Sequence, residues 1–233
     1  MNGARWFSTF DLCSGYHQVL MDDDSRDNTT FVTRKGTFRF RVMPFWLTGA
    51  PATFQRLMDL VMCGLNIDIC LVYLDDIIVF AVDVTGHLNR LPTVFGRLQA
   101  AGLKLKPSKC RLFQRRVTFL GHVVSHQGIE TDPEKITSVA SWPVPRSLSE
   151  VRSFVGLASY YRRFVPGFAS IAAPLHALTS KAVKFRWDEH CQTAFEQLKL
   201  ALTSSRILAM PTDLDKYILD TNASDTAIGA VLS

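Results

Sequence analysis

The chain has 233 residues, 47% of them apolar, and carries 26 Lys and Arg against 21 Asp and Glu for a formal charge of +5. That size and apolar content exclude a disordered chain and leave room for one large domain or two smaller ones, while the modest positive excess permits a polyanionic partner without demanding one. The five cysteines, Cys13, Cys63, Cys70, Cys110 and Cys191, are widely spaced and odd in number, which suits neither a disulfide framework nor a close metal pair and points to a reducing compartment. No secretory leader is visible and the longest apolar run is broken by Asp75 and Asp76, so an intracellular protein without a membrane span is expected.

Residues 5–10 read as a strand ending at Asp11, and residues 12–19 as a turn into a short helix. Strands are expected over 29–33 and 37–42, joined by Arg34-Lys35-Gly36, where a Gly near the turn signals a hairpin; Pro44 then breaks the run. From Ala50-Pro51 onward, Phe54, Leu57, Met58, Val61 and Met62 recur at helical spacing with Pro51 suited to the first turn, which predicts a core helix. A hairpin containing Asp75 and Asp76 follows. Residues 87–101 place Leu88, Leu91, Val94, Phe95 and Leu98 on one helical face, weakened in its first half by Pro92 and stopped at Gly102. Residues 104–106 and 117–124 read as short strands. After Gly128 the texture changes, with Pro133, Pro143 and Pro145 punctuating short segments, and a boundary is expected near residue 125. A helix over 149–161 opens at Ser147 or Ser149 with Glu150, and another covers 189–201 with Ala194, Phe195 and Leu198 inward. Residues 216–220 read as a strand, and 227–232 begin a further element.

Chemistry concentrates at Asp75 and Asp76, which interrupt the otherwise apolar run Ile69-Cys70-Leu71-Val72-Tyr73-Leu74-Asp75-Asp76-Ile77-Ile78-Val79-Phe80. An ionised carboxylate buried there is costly unless compensated, and paired carboxylates at a hairpin tip are a natural seat for divalent cations. Asp11 offers a third oxygen ligand from the end of the first strand. Three such carboxylates can hold two Mg²⁺ (or Mn²⁺) ions about 4 Å apart, which clamp the attacking and leaving oxygens of an in-line phosphoryl displacement. An exposed turn that happens to contain Asp-Asp is the plain alternative. No acidic residue occurs from Val84 to Ile129, an interval holding Arg90, Arg97, Lys104, Lys106, Lys109, Arg111, Arg115 and Arg116. It is either a solvated basic face or a phosphate-binding one.

Three motifs carry a resemblance: Trp6-Phe7-Ser8-Thr9-Phe10-Asp11-Leu12-Cys13-Ser14-Gly15-Tyr16-His17-Gln18, Val42-Met43-Pro44-Phe45-Trp46-Leu47-Thr48-Gly49-Ala50-Pro51-Ala52-Thr53-Phe54-Gln55-Arg56 and Tyr73-Leu74-Asp75-Asp76. Together they resemble the reverse transcriptase of gypsy-type LTR retrotransposons. The likeness continues through Phe119-Leu120-Gly121-His122, Trp142-Pro143, Arg152-Ser153-Phe154-Val155-Gly156-Leu157, Tyr160-Tyr161-Arg162-Arg163-Phe164 and Thr221-Asn222-Ala223-Ser224-Asp225. It implies an α+β fold: a right-hand polymerase palm with truncated fingers over 1–124, a thumb/connection region over 125–186, and an incomplete ribonuclease H-like α/β domain over 187–233. Asp11, Asp75 and Asp76 would be catalytic metal ligands. Tyr16 would lie under the sugar of the incoming nucleotide, with Phe45, Trp46, Leu47, Gln55 and Lys109 lining or bracing its site. Arg34, Lys35, Leu74, Lys104, Lys106, Arg111, Gly121 and His122 would meet template and primer, with Gly121 allowing close approach to the sugar-phosphate.

Three departures from the family pattern stand out. Trp46 replaces a usual Gly, so an indole must fill the pocket or point away. Little chain precedes Trp6, which removes fingers strands the family normally has. Asn222 stands where a ribonuclease H-like strand carries a metal-binding Asp, and the sequence stops at Ser233, so ribonuclease H activity is not expected. Two functions are therefore open: RNA- or DNA-templated DNA synthesis from a primer and deoxynucleoside triphosphates, or nucleic-acid binding by an inactive retroelement-derived protein. Other retroelement Pol domains or a second subunit are the further partners the resemblance implies.

Overall fold

The computed structural model describes residues 1–180, 185–204, 207–210, 218–223 and 228–232. Strand β1 (Trp6–Asp11) leads into a short helix α1 (Asp23–Arg26), the hairpin β2 (Phe31–Thr33) and β3 (Gly36–Phe38), helix α2 (Ala50–Val61), strands β4 (Cys70–Tyr73) and β5 (Asp76–Ala81), and helix α3 (Val84–Ala100). Strands β6 (Arg111–Gln114), β7 (Arg116–Phe119), β8 (His122–Ser125) and β9 (Gly128–Thr131) follow. Helices α4 (Pro133–Ala140), α5 (Leu148–Tyr160), α6 (Phe168–Leu178) and α7 (Glu189–Thr203) come next, and then β10 (Ile207–Leu208), β11 (Leu219–Ala223) and β12 (Ile228–Leu232).

The first sheet has the order β4-β5-β1-β6, with antiparallel pairing throughout. Strand β5 is an unbroken apolar run after Asp76 because both of its faces are covered. Ile77 and Val79 join Phe10, Phe54, Met58, Met62, Leu91, Val94 and Leu98 under α2 and α3. Ile78 and Phe80 face the other way, onto Phe7, Val117, Phe119 and Val124. Pro51 sits in the first turn of α2, where its missing N–H costs nothing. Phe54, Met58 and Met62 are fully buried, and truncating any of them to Ala would cost about 2–5 kcal/mol.

Helix α3 begins earlier than its periodicity suggests, because the Asp83 side chain caps it by accepting from the Gly86 N–H at 2.7 Å. It runs through Pro92 without ending. Its buried stripe is His87, Leu91, Val94 and Leu98, whereas Leu88 lies half in solvent. Residues 104–106 do not form the expected strand: only Leu105 bridges to Leu12, and Pro107, lacking an N–H, turns the chain away. The expected strands at 29–33 and 37–42 shrink to three residues each, exposed on both faces, since no core lies beneath them.

The second sheet, β10-β9-β8-β7, runs across the expected boundary near residue 125. Gly128, at φ 136°, lets β10 close on β9, since a Cβ there would lie 2.1 Å from the Leu208 carbonyl oxygen. Helices α4 to α7 enclose a separate core built on Phe154, Tyr161, Leu175, Phe195 and Leu198. Ser147 caps α5 by accepting from the Glu150 N–H, and the Glu150 carboxylate accepts from Arg146 N at 2.8 Å, close to a capping box. Strands β11 and β12 form a hairpin that includes the backbone of Asn222. The side chain of Asn222 and the expectations placed on Lys216, Tyr217, Ser224, Asp225 and Ala227 lie outside the described residues.

Candidate functional site

Antiparallel register puts Asp11, the last residue of β1, opposite Asp76, the first of β5. The turn between β4 and β5 consists of Leu74 and Asp75, with Tyr73 paired to Asp76. A two-residue hairpin favours positive φ in its loop, and Leu74 takes it at 52°. The Asp75 carbonyl accepts from Leu12 N at 3.2 Å, which ties the turn to the end of β1. Gly15 packs so closely that a Cβ there would lie 2.9 Å from Phe54 Cζ and 3.2 Å from Asp75 Cβ. That Gly follows the β1 strand in the sequence, but only the fold shows what it makes room for.

Asp11 and Asp76 open onto a cavity of about 310 Å³ that Lys109, Arg111, Ser108, Thr9, Phe10, Thr118, Phe119 and Leu120 complete. Lys109 Nζ donates to Asp11 Oδ2 at 2.7 Å. That bond and the neighbouring carboxylates raise the Lys109 ammonium above its usual range. Burial, reinforced by the charges of Asp75 and Asp11, pushes the Asp76 carboxyl up, and Lys109 offsets part of the shift. Among the described residues no three His, Cys, Asp or Glu side chains stand together as a ready metal cage. The donor set nonetheless fits a hard divalent cation: carboxylate oxygens that destabilise one another until positive charge arrives, with one cation, Lys109, already seated on Asp11.

Tyr16 lies beside this centre, its ring 5.4 Å from Phe45 and 5.2 Å from Phe54. Burial and the Asp75 charge raise its phenol above the ordinary value. The Phe45 ring also meets His17 at 4.8 Å. Trp46 is placed differently from its neighbours: its side chain is 99% exposed and its backbone stands at φ 82°. The indole therefore fills no void in the core and stands in solvent. Gln55 is committed to the protein itself, for its amide oxygen accepts from Leu74 N and its amide nitrogen donates to Asp59 and to the Val72 carbonyl.

The expected nucleic-acid contacts divide into groups. Arg34 and Lys35 occupy the exposed β2–β3 turn. Lys104 and Lys106 are exposed, and their backbones are pinned beside the end of β1, the Lys104 carbonyl accepting from Cys13 N and Lys106 N donating to the Asp11 carbonyl, both at 2.8 Å. Three other cations of the acid-free interval are taken up locally: Arg90 by the Phe80 carbonyl, Arg115 over the Trp6 ring at 3.7 Å, and Arg116 by Glu130 at 2.8 Å. His122, expected at the primer-gripping turn, is half-buried and packed against aromatic rings. Its ring stacks on Tyr160 at 5.2 Å, meets Tyr161 and Phe164, and buries Nδ1 without a partner. Tyr161 donates to the Gly121 carbonyl at 2.9 Å and Tyr160 to that of Leu120, so aromatic side chains from the end of α5 hold this turn. Sequence reading also passed over the buried pair Ser8 and His87, whose Oγ and Nε2 stand 2.6 Å apart, with Ser8 Oγ accepting from Phe113 N. That link joins β1, α3 and β6, and a lone His inside an apolar helix stripe was its only sequence signal.

Residues 1–124 match the family model described as reverse transcriptase (RNA-dependent DNA polymerase). Residues 187–233 match the RNase H-like domain found in reverse transcriptase. The chain is 42% identical over 232 residues to the retrovirus-related Pol polyprotein from transposon 297 of Drosophila melanogaster, covering 99% of this chain and 22% of that protein. It is 37% identical to the corresponding polyprotein from transposon gypsy of the same organism, covering 99% of this chain and 23% of the relative. The chain thus spans less than a quarter of the length of these curated relatives. Its structure superposes on that of the foamy viral protease-reverse transcriptase in complex with RNA/DNA hybrid with a TM-score of 0.82 at 29% identity, over 94% of this chain and 30% of the other.

Proposed function

The chain belongs to the reverse transcriptase family found in retrotransposons and retroviruses, and from that premise we propose that its palm catalyses RNA-directed DNA synthesis, as part of a gypsy-type element. The observation that carries this reading is the register pairing of Asp11 with Asp76 at the mouth of a cavity shared with Lys109 and Arg111. Asp11, Asp75 and Asp76 would hold two Mg²⁺ or Mn²⁺ ions. Such ions lower the pKa of a primer 3′-hydroxyl and neutralise charge on the triphosphate and departing pyrophosphate.

The protein's own groups do the remaining work. Lys109 and Arg111 present positive charge to the same cavity and stabilise phosphate oxygens there. Tyr16, braced by Phe45 and Phe54, has no room to retreat from a 2′-hydroxyl, which favours deoxynucleotides. Lys104, Lys106, Arg34 and Lys35 grip template and primer phosphates, and Leu74 at the turn lies near the primer end. The duplex partner is inferred from the foamy viral enzyme, which was solved on an RNA/DNA hybrid. In this proposal residues 1–124 supply the palm with partial fingers, 125–186 the thumb and connection, and 187–233 a ribonuclease H-like segment. Other Pol domains or a second subunit complete the assembly. Among the described residues no helix is long and apolar enough to cross a membrane.

A second reading, nucleic-acid binding without turnover, is favoured by the Lys109 ammonium seated on Asp11. Primer extension with Mg²⁺ and deoxynucleotides separates the two. The polymerase reading expects extension by the wild-type protein and its loss in Asp75→Asn, together with weaker Mn²⁺ binding by that variant in the presence of primer-template. Equal Mn²⁺ binding by both proteins refutes the site assignment, and binding of primer-template with no extension favours the second reading.

A further inference from the structure

Leu74 occupies the most demanding backbone position of the carboxylate turn, since its φ of 52° is one that side-chain-bearing residues avoid. Something must hold it there. The neighbouring α2 helix presents Gln55, whose amide oxygen accepts from Leu74 N at 2.7 Å. The amide nitrogen donates to Asp59 Oδ1 at 2.9 Å and to the Val72 carbonyl at 3.4 Å. Asp59 sits one helical turn on from Gln55, so the two are surface neighbours on α2, and a carboxylate on the nitrogen fixes which way round the amide lies. With the amide in that orientation both N–H donors are used, and none is left for a nucleotide.

We propose that Gln55 is a positioning residue that locks the Leu74-Asp75 turn from behind, with Asp59 setting its amide orientation, and that it acts on the nucleotide only through Asp75 and Asp76. The turn carries the carboxylates directly: Tyr73 and Asp76 close the hairpin, and Val72 and Leu74, the two backbone positions Gln55 holds, flank Tyr73. Freed from Gln55, Leu74 relaxes toward negative φ and carries Asp75 with it.

The activity arm of the test rests on the polymerase reading above, and the structural arm does not. Backbone amide exchange at Leu74 is measured by NMR in the wild-type protein, in Gln55→Ala and in the paired swap Gln55→Glu with Asp59→Asn, which keeps an acceptor for Leu74 N and a carboxylate-amide pair on the helix. Leu74 exchange is expected to rise about three- to tenfold in Gln55→Ala, the worth of one hydrogen bond, and to return toward wild type in the swap. In primer extension Gln55→Ala should lower kcat about tenfold or more, with KM for the deoxynucleotide within about twofold, because the substitution disturbs the geometry of the carboxylates and leaves nucleotide binding alone. Unchanged exchange at Leu74 overturns the proposal, as does a raised KM with kcat intact. If the wild-type protein does not extend primers, that result counts against the polymerase reading while the exchange comparison still decides the brace. If Gln55→Ala fails to fold, the swap decides: fast Leu74 exchange in a folded swap protein overturns the proposal.

Discussion

Replacing Trp46 by Gly should stabilise the protein, although the same change inside regular structure costs about 1 kcal/mol. The reason is backbone geometry. Trp46 stands at φ 82°, and a left-handed conformation costs a residue with a Cβ roughly 1–2 kcal/mol. Gly removes that cost while adding about 0.5–1 kcal/mol of unfolded-chain entropy. Because the side chain is 99% exposed, almost no buried apolar surface is given up. The balance lies between near zero and about 1.5 kcal/mol in favour of Gly, and in a chain of this size about 1 kcal/mol moves Tm by roughly 2–4 °C. Trp46→Ala is the control, since it removes the indole and keeps the strained Cβ. Thermal unfolding of the three proteins should rank Gly above Ala by about 2–4 °C. An Ala variant more stable than Gly would refute the left-handed assignment. Primer extension adds a second check: an unchanged rate in Trp46→Gly shows that the exposed indole does not reach the nucleotide, and a changed rate shows that it does.

Gly15→Ala should cost about 1–3 kcal/mol and lower extension, since its Cβ would press on Phe54 at 2.9 Å and on Asp75 at 3.2 Å; denaturant unfolding and primer extension measure both. His122 titrates below its ordinary value of 6.5 because of burial and the Arg163 charge, partly opposed by Asp132. The unfolded chain therefore takes up this proton first, so stability is lost as pH falls through the unfolded value toward the folded one and is unaffected above both. His122→Phe keeps the stacking on Tyr160 and removes the proton, so unfolding midpoints of the two proteins should diverge in the wild type's disfavour below pH 6.5; parallel pH profiles would exclude His122 as the source. Neutralising Lys104, Lys106, Lys109 and Arg111 together should flatten the dependence of log affinity for primer-template on log salt by about 0.9 for each phosphate no longer neutralised. An unchanged slope would leave these cations as a solvated face.

The first sheet was readable because its signals are local. The apolar run around Asp75 and Asp76 is continuous for the reason that β5 is covered on both faces, and Pro51 with its helical spacing marked α2. Helix α4 was hidden because Pro133 reads as a break, whereas it occupies the first turn with Asp132 capping Glu134 N at 3.0 Å. Helix α6 mixes small residues with an internal Pro174 and shows little amphipathic pattern. Among site residues, Asp11 and Asp76 were readable as chemistry, but their pairing depends on strand register. The roles of Gln55 and His122 depend on partners 19 and about 40 residues away, Leu74 and the tyrosines at the end of α5, and no local pattern encodes such pairings. Trp46 stands out in the sequence as a departure, while its positive φ and its exposure follow from the fold.

The short strand β10 has a topological consequence. It pairs Ile207 with Glu130 and Leu208 with Ile129, so the chain leaves the second sheet at β9, builds α4 to α7, and returns to the strand it left. The four-helix excursion is tethered at both ends to a single strand pair. Closing a loop of that length carries an entropy cost that must be met before the pairing rewards it, so β10 should dock late in folding, after the helices have brought their ends together. The same tether makes the helices behave as an insertion: a backbone nick within them would leave both pieces anchored to one sheet, and the bonds from Tyr160 and Tyr161 to the Leu120 and Gly121 carbonyls add a third attachment at the β7–β8 turn.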